Sequence, residues 1–96
     1  MIRLVLTLGD PRGIGPEIAA KALSDPRIAA LGASWHVIGP TGTPVPVHES
    51  VGVWTPTGHG VEHIALAGRL AGLAVARAAR MALAGEVSGI VTAPLD

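Results

Sequence analysis

Gly9-Asp10-Pro11-Arg12-Gly13-Ile14-Gly15-Pro16-Glu17 is the stretch that decides the fold of this 96-residue chain. It follows an apolar run from Ile2 to Leu8 and precedes a run of helix-forming residues from Ile18 to Leu23. A strand, a glycine-rich turn and a helix are therefore predicted in that order. Turns at the carboxyl end of a strand are where α/β proteins usually bind ligands, so this stretch is also the first candidate for a site.

Three glycines and two carboxylates supply the candidate site residues of the turn. Gly9, Gly13 and Gly15 allow positive φ angles and let another molecule approach the backbone closely. Glu17 complements the positive end of the predicted helix. Asp10 either caps the turn by accepting backbone N–H groups or faces a ligand, and the sequence leaves both roles open.

Composition and charge exclude several classes of protein. The chain is 49% hydrophobic, lacks Phe and Tyr, and carries seven basic and seven acidic residues for a net charge of zero. A nucleic-acid-binding surface would need a basic patch, so none is expected. The absence of cysteine excludes disulfides and thiolate chemistry and fits a reducing cytoplasm, where we expect the protein to be located. A globular α/β chain is the predicted class.

Further along the chain, apolar runs bounded by Gly and Pro predict a small number of strands and helices. The expected elements are a helix over Pro16–Leu23, a strand over Ser34–Ile38 closed by Gly39-Pro40, a short extended piece over Val51–Trp54, a long helix from Val61 to about Ala84, and a strand over Val87–Thr92. The strand–helix–strand order implies right-handed crossovers and parallel pairing. The fold class is therefore α/β, with a mostly parallel sheet and flanking helices.

The predicted helix from Val61 to about Ala84 has two different sides. Leu and Arg residues fall on one side and the other is nearly all Ala and Gly, so we expect the small residues to lie against the sheet. Gly68 and Gly72 form a small-xxx-small pair that is typical of close packing. A membrane span is rejected because its arginines would each cost about 2.5–3.5 kcal/mol.

Familiar nucleotide and metal motifs fail in this sequence. The dinucleotide fingerprint G-x-G-x-x-G is broken at Ile18, and no Gly-Lys-Ser/Thr forms a P-loop. The segment His59-Gly60-Val61-Glu62-His63 matches the inverted zinc-peptidase pattern, but no third ligand lies on a convincing second helix. A helix start with polar residues is the favoured interpretation. His36 and His48 have no metal-binding spacing, so we assign no metal ligand and no catalytic residue.

Two segments together resemble one enzyme family. Thr7–Glu17 and Gly89–Asp96, with Ala67-Gly68-Arg69 leading into the Ala-rich helix between them, are similar to the N-terminal part of the 4-hydroxythreonine-4-phosphate dehydrogenases of pyridoxal phosphate biosynthesis. The resemblance covers essentially the whole chain. It implies the fold of the isocitrate and isopropylmalate dehydrogenases, whose G-D-G-I-G-P-E turn is related. It also implies that residues 1–96 are a single α/β segment, the incomplete N-terminal portion of a larger two-domain enzyme.

The same resemblance implies a function for the complete enzyme. That function is the NAD-dependent oxidation of a phosphorylated hydroxy acid at a divalent metal ion, followed by decarboxylation, in a homodimer with its active site between two domains. The implied substrate is 4-phosphohydroxy-L-threonine, and family members acting on phosphorylated threonate or erythronate share the same motifs. The family's metal-binding histidines and most of its cofactor-binding residues lie further downstream. The chain alone is therefore expected to be inactive and to bind neither NAD nor the metal tightly.

In this interpretation the glycine turn and Thr92-Ala93-Pro94 form two walls of the cleft. The cleft-lining candidates are Gly9, Asp10, Gly13, Gly15, Glu17 and Thr92, with Asp10 as a shaper of the cleft. Arg12 stands where the family is expected to have a small residue, and the Pro-rich stretch from Thr41 to Thr57 is shorter than expected and lacks a helix. A non-catalytic α/β module that binds a small anion or a partner through the turn is the alternative from a different class.

Overall fold

The computed structural model describes residues 2–94. Outside the described residues lie Met1 and the last two residues of the segment Gly89–Asp96, Leu95 and Asp96. The elements are β1 (Arg3–Thr7), α1 (Gly15–Leu23), α2 (Pro26–Ala29), β2 (Ser34–Thr41), β3 (Glu49–Val53), α3 (Val61–Leu83) and β4 (Gly89–Thr92). The predicted first strand, first helix, long helix and last strand are confirmed to within two residues at each end.

The four strands form one parallel sheet in the order β3-β2-β1-β4. Thr7 of β1 is in register with Ile38 of β2 on one side and with Thr92 of β4 on the other. The chain moves from β1 to β2 to β3 in one direction and then crosses over to the far side of β1. The strand order therefore reverses between β1 and β4, and the predicted α/β fold with a mostly parallel sheet is confirmed.

Side chains of β1 alternate between two small cores, one on each face of the sheet. On the face covered by α3, Val5 and Ile38 pack in a cluster with Ala74, Ala78, Met81 and Val87. On the face covered by α1, Leu6, Leu8 and Val37 pack with Ala19 and Val45. Because both faces are covered, β1 and the second half of β2 are buried, as in other parallel sheets.

The buried stripe of α3 differs from the predicted one. It combines small and large residues, namely Ala67, Leu70, Ala71, Ala74, Ala78 and Met81. Leu73 is 46% exposed, and a side chain at Gly68 or Gly72 would meet open space, so the prediction of close packing at these glycines is wrong. Residues spaced three, four and seven apart share one face of a helix. In α3 that face takes residues from both of the predicted sides, so Leu70 and Met81 are buried together with the alanines.

Strand β2 continues through Gly39-Pro40 to Thr41, so the prediction that this dipeptide closes the strand is wrong. The pairing with β3 shifts register between Gly39 and Thr41, which removes Pro40 from the regular ladder. The connection that follows, residues 42–48, contains no helix, as expected from the short Pro-rich stretch. Val45 and Val47 of this connection cover the α1 face of the sheet in place of a helix.

Two surface properties complete the fold. In residues 2–94, no helix is long and apolar enough to cross a membrane.

Strand β4 lies at an edge of the sheet, and its Ile90 and Val91 side chains are 40% and 42% exposed. The opposite edge strand, β3, is instead fastened to α3, because Arg77 Nε lies 2.6 Å from Glu49 Oε2. Strand β3 also exposes an apolar side chain, Val53 at 69%, so both edges of the sheet carry exposed apolar residues.

Candidate functional site

The glycine turn lies at the carboxyl end of β1, directly against the end of β4. The backbone N–H of Asp10 donates to the carbonyl of Pro94 at 3.1 Å, and the N–H of Ala93 donates to the carbonyl of Thr7 at 2.9 Å. This contact falls where the strand order of the sheet reverses, which is the position at which open α/β sheets bind ligands. The two predicted walls are thus brought together, and they touch each other with no gap between them.

Close contact between the turn and β4 requires glycine at two positions. Gly9 has φ of +72°, and a Cβ there would overlap the carbonyl oxygen of Pro94 and lie 2.9 Å from that of Ala93. A Cβ on Gly15 would overlap the carbonyl oxygen of Leu8 and lie 3.0 Å from the Ala93 side chain. The glycines therefore serve the packing of the chain on itself, in addition to any approach of a ligand.

Asp10 is buried in this contact with 2% of its surface exposed. Its carboxylate accepts the backbone N–H of Arg12 at 2.8 Å and pairs with the guanidinium, with Arg12 Nη2 2.6 Å from Oδ2. Hydrogen bonds from the Arg12 side chain hold the pKa of the Asp10 carboxyl below its ordinary value, although burial opposes them. Asp10 is consequently an ionised carboxylate that caps the turn, which is one of the two roles that the sequence left open.

The chain contains a second copy of the same local arrangement. Asp25-Pro26-Arg27 repeats the tripeptide Asp10-Pro11-Arg12, and Asp25 accepts from the Arg27 backbone N–H at 2.8 Å and from its Nη2 at 2.7 Å. The Arg27 side chain is 90% exposed, against 35% for Arg12. The geometry is therefore a property of Asp-Pro-Arg itself, and burial is what distinguishes the copy at the site.

A fall in pH should weaken the buried Asp10–Arg12 ion pair more than the exposed Asp25–Arg27 pair. The native pKa of Asp10 is lowered, so its pair stabilises the fold above the ordinary carboxyl pKa, and the contribution is lost as pH falls through the native value. We expect Asp10→Asn to cost about 1.5–3 kcal/mol near neutral pH, because a charge-assisted hydrogen bond is removed. Thermal melts between neutral pH and pH 3 should show the gap to the wild type narrowing.

Asp25→Asn is the matched control for this prediction, because it alters the same tripeptide at the surface. It should change the melting temperature far less at every pH. An Asp10→Asn variant as stable as the wild type at neutral pH would contradict the structural role of Asp10.

Two depressions flank the contact between the turn and β4. The first, the α1 groove, has a volume of about 270 Å³ and lies between α1, Trp35 and residues 91–94. The second, the proline crevice, has a volume of about 250 Å³ and is walled by Pro11, Pro16, Pro44 and Pro56 together with Trp54 and Glu17.

The six cleft-lining candidates are distributed over this edge of the sheet. Thr92 lines the α1 groove, and Gly13 and Glu17 line the proline crevice. Gly9, Asp10 and Gly15 line neither depression and lie in the contact between the turn and residues 93–94. Their role toward a ligand stays a prediction. Sequence reasoning missed Pro44, Trp54 and Pro56, which follow the carboxyl ends of β2 and β3; their position after parallel strands was the available signal.

The histidines do not converge on a metal site. His63 stacks on Trp54 with ring centroids 4.0 Å apart, and His36 stacks on His48 at 5.6 Å. In the part of the chain that the structure describes, no group of three or more His, Cys, Asp or Glu side chains is placed to hold a metal ion. The segment 59–63 is the beginning of a helix, with Gly60 before its first residue.

Thr7 carries an unusual polar group in this region. It is fully buried, and within residues 2–94 its hydroxyl has no hydrogen-bond partner. An unsatisfied buried hydroxyl costs about 1–3 kcal/mol, so Thr7→Val, which keeps the shape of the side chain, should raise the free energy of unfolding by roughly that amount. Urea denaturation measures the change. A loss of stability would instead indicate that the hydroxyl binds a buried water molecule.

The reversal of strand order, the glycine turn and the closed contact with β4 agree with the predicted α/β fold of the isocitrate/isopropylmalate dehydrogenase-like class. A solved structure from Salmonella typhimurium, provisionally assigned as a 4-hydroxythreonine-4-phosphate dehydrogenase, matches the whole chain with a TM-score of 0.73 and 33% identity, and the chain covers 38% of it. The 4-hydroxythreonine-4-phosphate dehydrogenase of Paracoccus denitrificans is 31% identical over 97% of the chain. The chain belongs to the 4-hydroxythreonine-4-phosphate dehydrogenase family.

Three further findings bound this assignment. A protein from Symbiobacterium thermophilum, provisionally assigned as a D-threonate 4-phosphate dehydrogenase, is 69% identical over 26 residues, which is 27% of this chain and 8% of that protein. No family model matches the chain. The chain spans about a third of the length of the Paracoccus relative, at 33%.

Proposed function

We propose that these residues form the N-terminal α/β segment of a larger two-domain, NAD-dependent and metal-dependent dehydrogenase. The complete enzyme would oxidise and decarboxylate 4-phosphohydroxy-L-threonine in pyridoxal phosphate biosynthesis, as a cytoplasmic homodimer. The observation that carries the proposal is the glycine turn closed against residues 93–94 at the reversal of strand order, in a chain of this family.

This segment would contribute one wall of the active site and not its reactive groups. Arg12 neutralises the buried Asp10, so this carboxylate does not repel an anionic, phosphorylated substrate as a bare one would. The rigid contact with β4 fixes the wall, which supports orientation of a substrate at the sheet edge. The Asp10 carboxylate is buried and engaged, so it does not serve as a general base.

The implied metal ion does not fit the residues described here. In residues 2–94, no three suitable ligands converge, so the ion would be held by residues outside this segment, and no chemical step is assigned to it. The proline crevice, at about 250 Å³, is smaller than a typical site for a whole drug-sized ligand and has room for only part of a dinucleotide. The segment alone should therefore produce no NADH and bind neither group tightly.

One match names a second substrate. The 26-residue match to a protein named for D-threonate 4-phosphate reaches 69% identity, so the shared motifs do not discriminate between the two phosphorylated hydroxy acids. Both substrates carry a hydroxyl to be oxidised and a phosphate, and they differ at the amino group. We assign the choice between the two substrates to the rest of the enzyme.

A chimera tests the proposal. These 96 residues would replace the aligned third of the Paracoccus denitrificans relative. The formation of NADH would be followed by its absorbance, first with 4-phosphohydroxy-L-threonine and then with D-threonate 4-phosphate. We expect the chimera to oxidise 4-phosphohydroxy-L-threonine while the 96-residue chain does not. A chimera that folds, as judged by circular dichroism and gel filtration, but forms NADH with neither substrate would refute the proposal.

A further inference from the structure

The ladder between β2 and β3 begins with an imidazole ring in place of a strand backbone. The carbonyl of Val37 accepts the backbone N–H of His48 at 2.9 Å, and the N–H of Val37 donates to Nδ1 of the same histidine at 2.9 Å. Regular pairing with β3 starts only at the next residues, Ile38 and Glu49. A parallel strand normally supplies a backbone carbonyl where this ring nitrogen lies. His48 therefore fastens the end of the connection 42–48 to β2 through its side chain as well as its backbone.

The bond from Val37 depends on the protonation state of His48. An imidazole nitrogen accepts a hydrogen bond only when it carries no hydrogen, so the bond assigns a neutral ring with its hydrogen on Nε2. A charged ring carries N–H at both nitrogens and would point a donor at the Val37 N–H. Val37 is 1% exposed, so water cannot readily replace the lost acceptor. The His48 side chain is itself exposed, so it exchanges protons with the solvent.

The charged groups beside this ring come from three elements. His36 of β2 stacks on His48 with ring centroids 5.6 Å apart, and its Nε2 lies 3.2 Å from Oε1 of Glu49 in β3. The other carboxylate oxygen of Glu49 lies 2.6 Å from Nε of Arg77 in α3. The hydrogen bond from Arg77, with a smaller contribution from His36, holds the pKa of the Glu49 carboxyl below its ordinary value, although burial opposes them. Glu49 therefore stays ionised, and keeps its contact with His36, across the pH range in which imidazoles gain protons.

On its other side, His48 borders an apolar depression. This depression has a volume of about 360 Å³, and the described residues that line it with His48 are Leu23, Trp35, Val37, Pro46 and Val47. None of these residues carries a carboxylate that would stabilise a charged His48 ring. A charged His36 ring at 5.6 Å would repel it. The surroundings of His48 therefore favour its release from β2 once it gains a proton.

We propose that His48 is a pH-sensitive latch that holds the connection 42–48 on β2. Only the neutral ring makes the bond, so the latch is closed above the pH range in which imidazoles gain protons and opens as the pH falls through that range. The connection that it holds supplies Thr43 and Pro44 to the proline crevice. Mild acid therefore loosens one side of the candidate site while the carboxylate of Asp10, whose pKa is lowered, stays ionised on the other. The latch acts in this chain whether or not the complete enzyme is a dehydrogenase.

NMR spectra of the 96-residue chain test the latch without any substitution. Between about pH 7.5 and about pH 5 we expect the Val37 amide signal to shift in step with the protonation of the His48 ring. The protection factor of this amide against hydrogen exchange should fall about tenfold, the effect of one lost hydrogen bond. The amide of Leu6, which lies in register with Val37 in β1, should keep its protection. A Val37 amide that keeps its shift and protection while His48 gains its proton would overturn the latch, and so would a His48 ring that stays neutral throughout.

Replacing His48 with asparagine separates the hydrogen bond from its pH dependence. The side-chain oxygen of asparagine accepts a hydrogen bond near the position of Nδ1 and does not titrate. His48→Asn should therefore keep the Val37 amide protected at both ends of the pH range. His59→Asn, the same change at another exposed histidine, is the matched control and should leave the pH response of Val37 as in the wild type. A His48→Asn variant that retains the wild-type pH response would locate the titrating group elsewhere and refute the proposal.

Discussion

Replacing Gly9 with alanine is expected to remove most of the stability of the fold. The backbone at Gly9 has φ of +72°, and a Cβ would overlap the carbonyl oxygen of Pro94, which is main chain and cannot rotate away. The left-handed conformation alone costs a non-glycine residue about 1–2 kcal/mol. Separation of the turn from β4 adds the loss of the buried Asp10–Pro94 hydrogen bond, for a total above about 4 kcal/mol. A small domain has only about 5 kcal/mol or somewhat more to lose, so circular dichroism should report an unfolded population.

Gly32→Ala is the control that isolates the steric part of this effect. Gly32 has the same φ of +72°, but a Cβ there meets nothing within 4 Å. It should therefore cost only the about 1–2 kcal/mol of the backbone conformation and leave the chain folded. Equal losses in the two variants would show that contact of the turn with β4 does not stabilise the fold.

The second large effect is expected at Gly15, where a helix residue is changed to alanine. Glycine to alanine inside a helix normally stabilises by about 1 kcal/mol. At Gly15 the new Cβ would overlap the carbonyl oxygen of Leu8 and press against the Ala93 side chain at 3.0 Å. Forcing an extra carbon into a packed contact costs about 1–3 kcal/mol, and at this backbone contact we expect the upper end as a net loss. Urea denaturation at neutral pH gives the value.

Gly72→Ala in α3 provides the opposite outcome for comparison. Gly72 is exposed, and a Cβ there meets nothing within 4 Å, so this variant should gain about 1 kcal/mol. The two substitutions are chemically identical, but Gly15 is the first residue of α1 whereas Gly72 lies inside α3, so the propensity gain applies mainly to Gly72. A loss of about 2 kcal/mol or more at Gly15 therefore reports the contact. If Gly15→Ala were also stabilising, α1 would not lie as close to Leu8 and Ala93 as the structure shows.

Much of the fold follows from local patterns in the sequence. The apolar run before Gly9, the helix formers after Pro16 and the long helix from Val61 each carry their own periodicity and boundaries, so they were predictable. The predicted end of β2 at Gly39-Pro40 was wrong, because this local stop signal is overridden by the sheet, in which the pairing of β2 with β3 shifts register at that point. Tertiary pairing decided the outcome there, and a single sequence does not show it.

The site was less predictable than the fold for a related reason. Gly9 and Gly15 were identified as close-approach positions, but the partner in that approach is the chain's own Ala93-Pro94 backbone. The role of Asp10 depended on whether Arg12 reached it, which is a matter of side-chain placement. Trp54 and Pro56 became part of the edge only because β3 lies beside β2 in the sheet. These contacts join residues far apart in sequence, and strand order is what brings them together.

Hydrogen exchange at the Asp10 amide tests most directly whether the glycine turn and the end of β4 form one closed wall. This amide donates to the carbonyl of Pro94 at 3.1 Å within a buried contact, whereas the Gly58 amide makes a local bond to Thr55 at 3.2 Å on an exposed turn. NMR-detected exchange should show Asp10 protected to nearly the same degree as the amides of β1, with Gly58 exchanging much faster. An Asp10 amide that exchanges as fast as that of Gly58 would contradict the account.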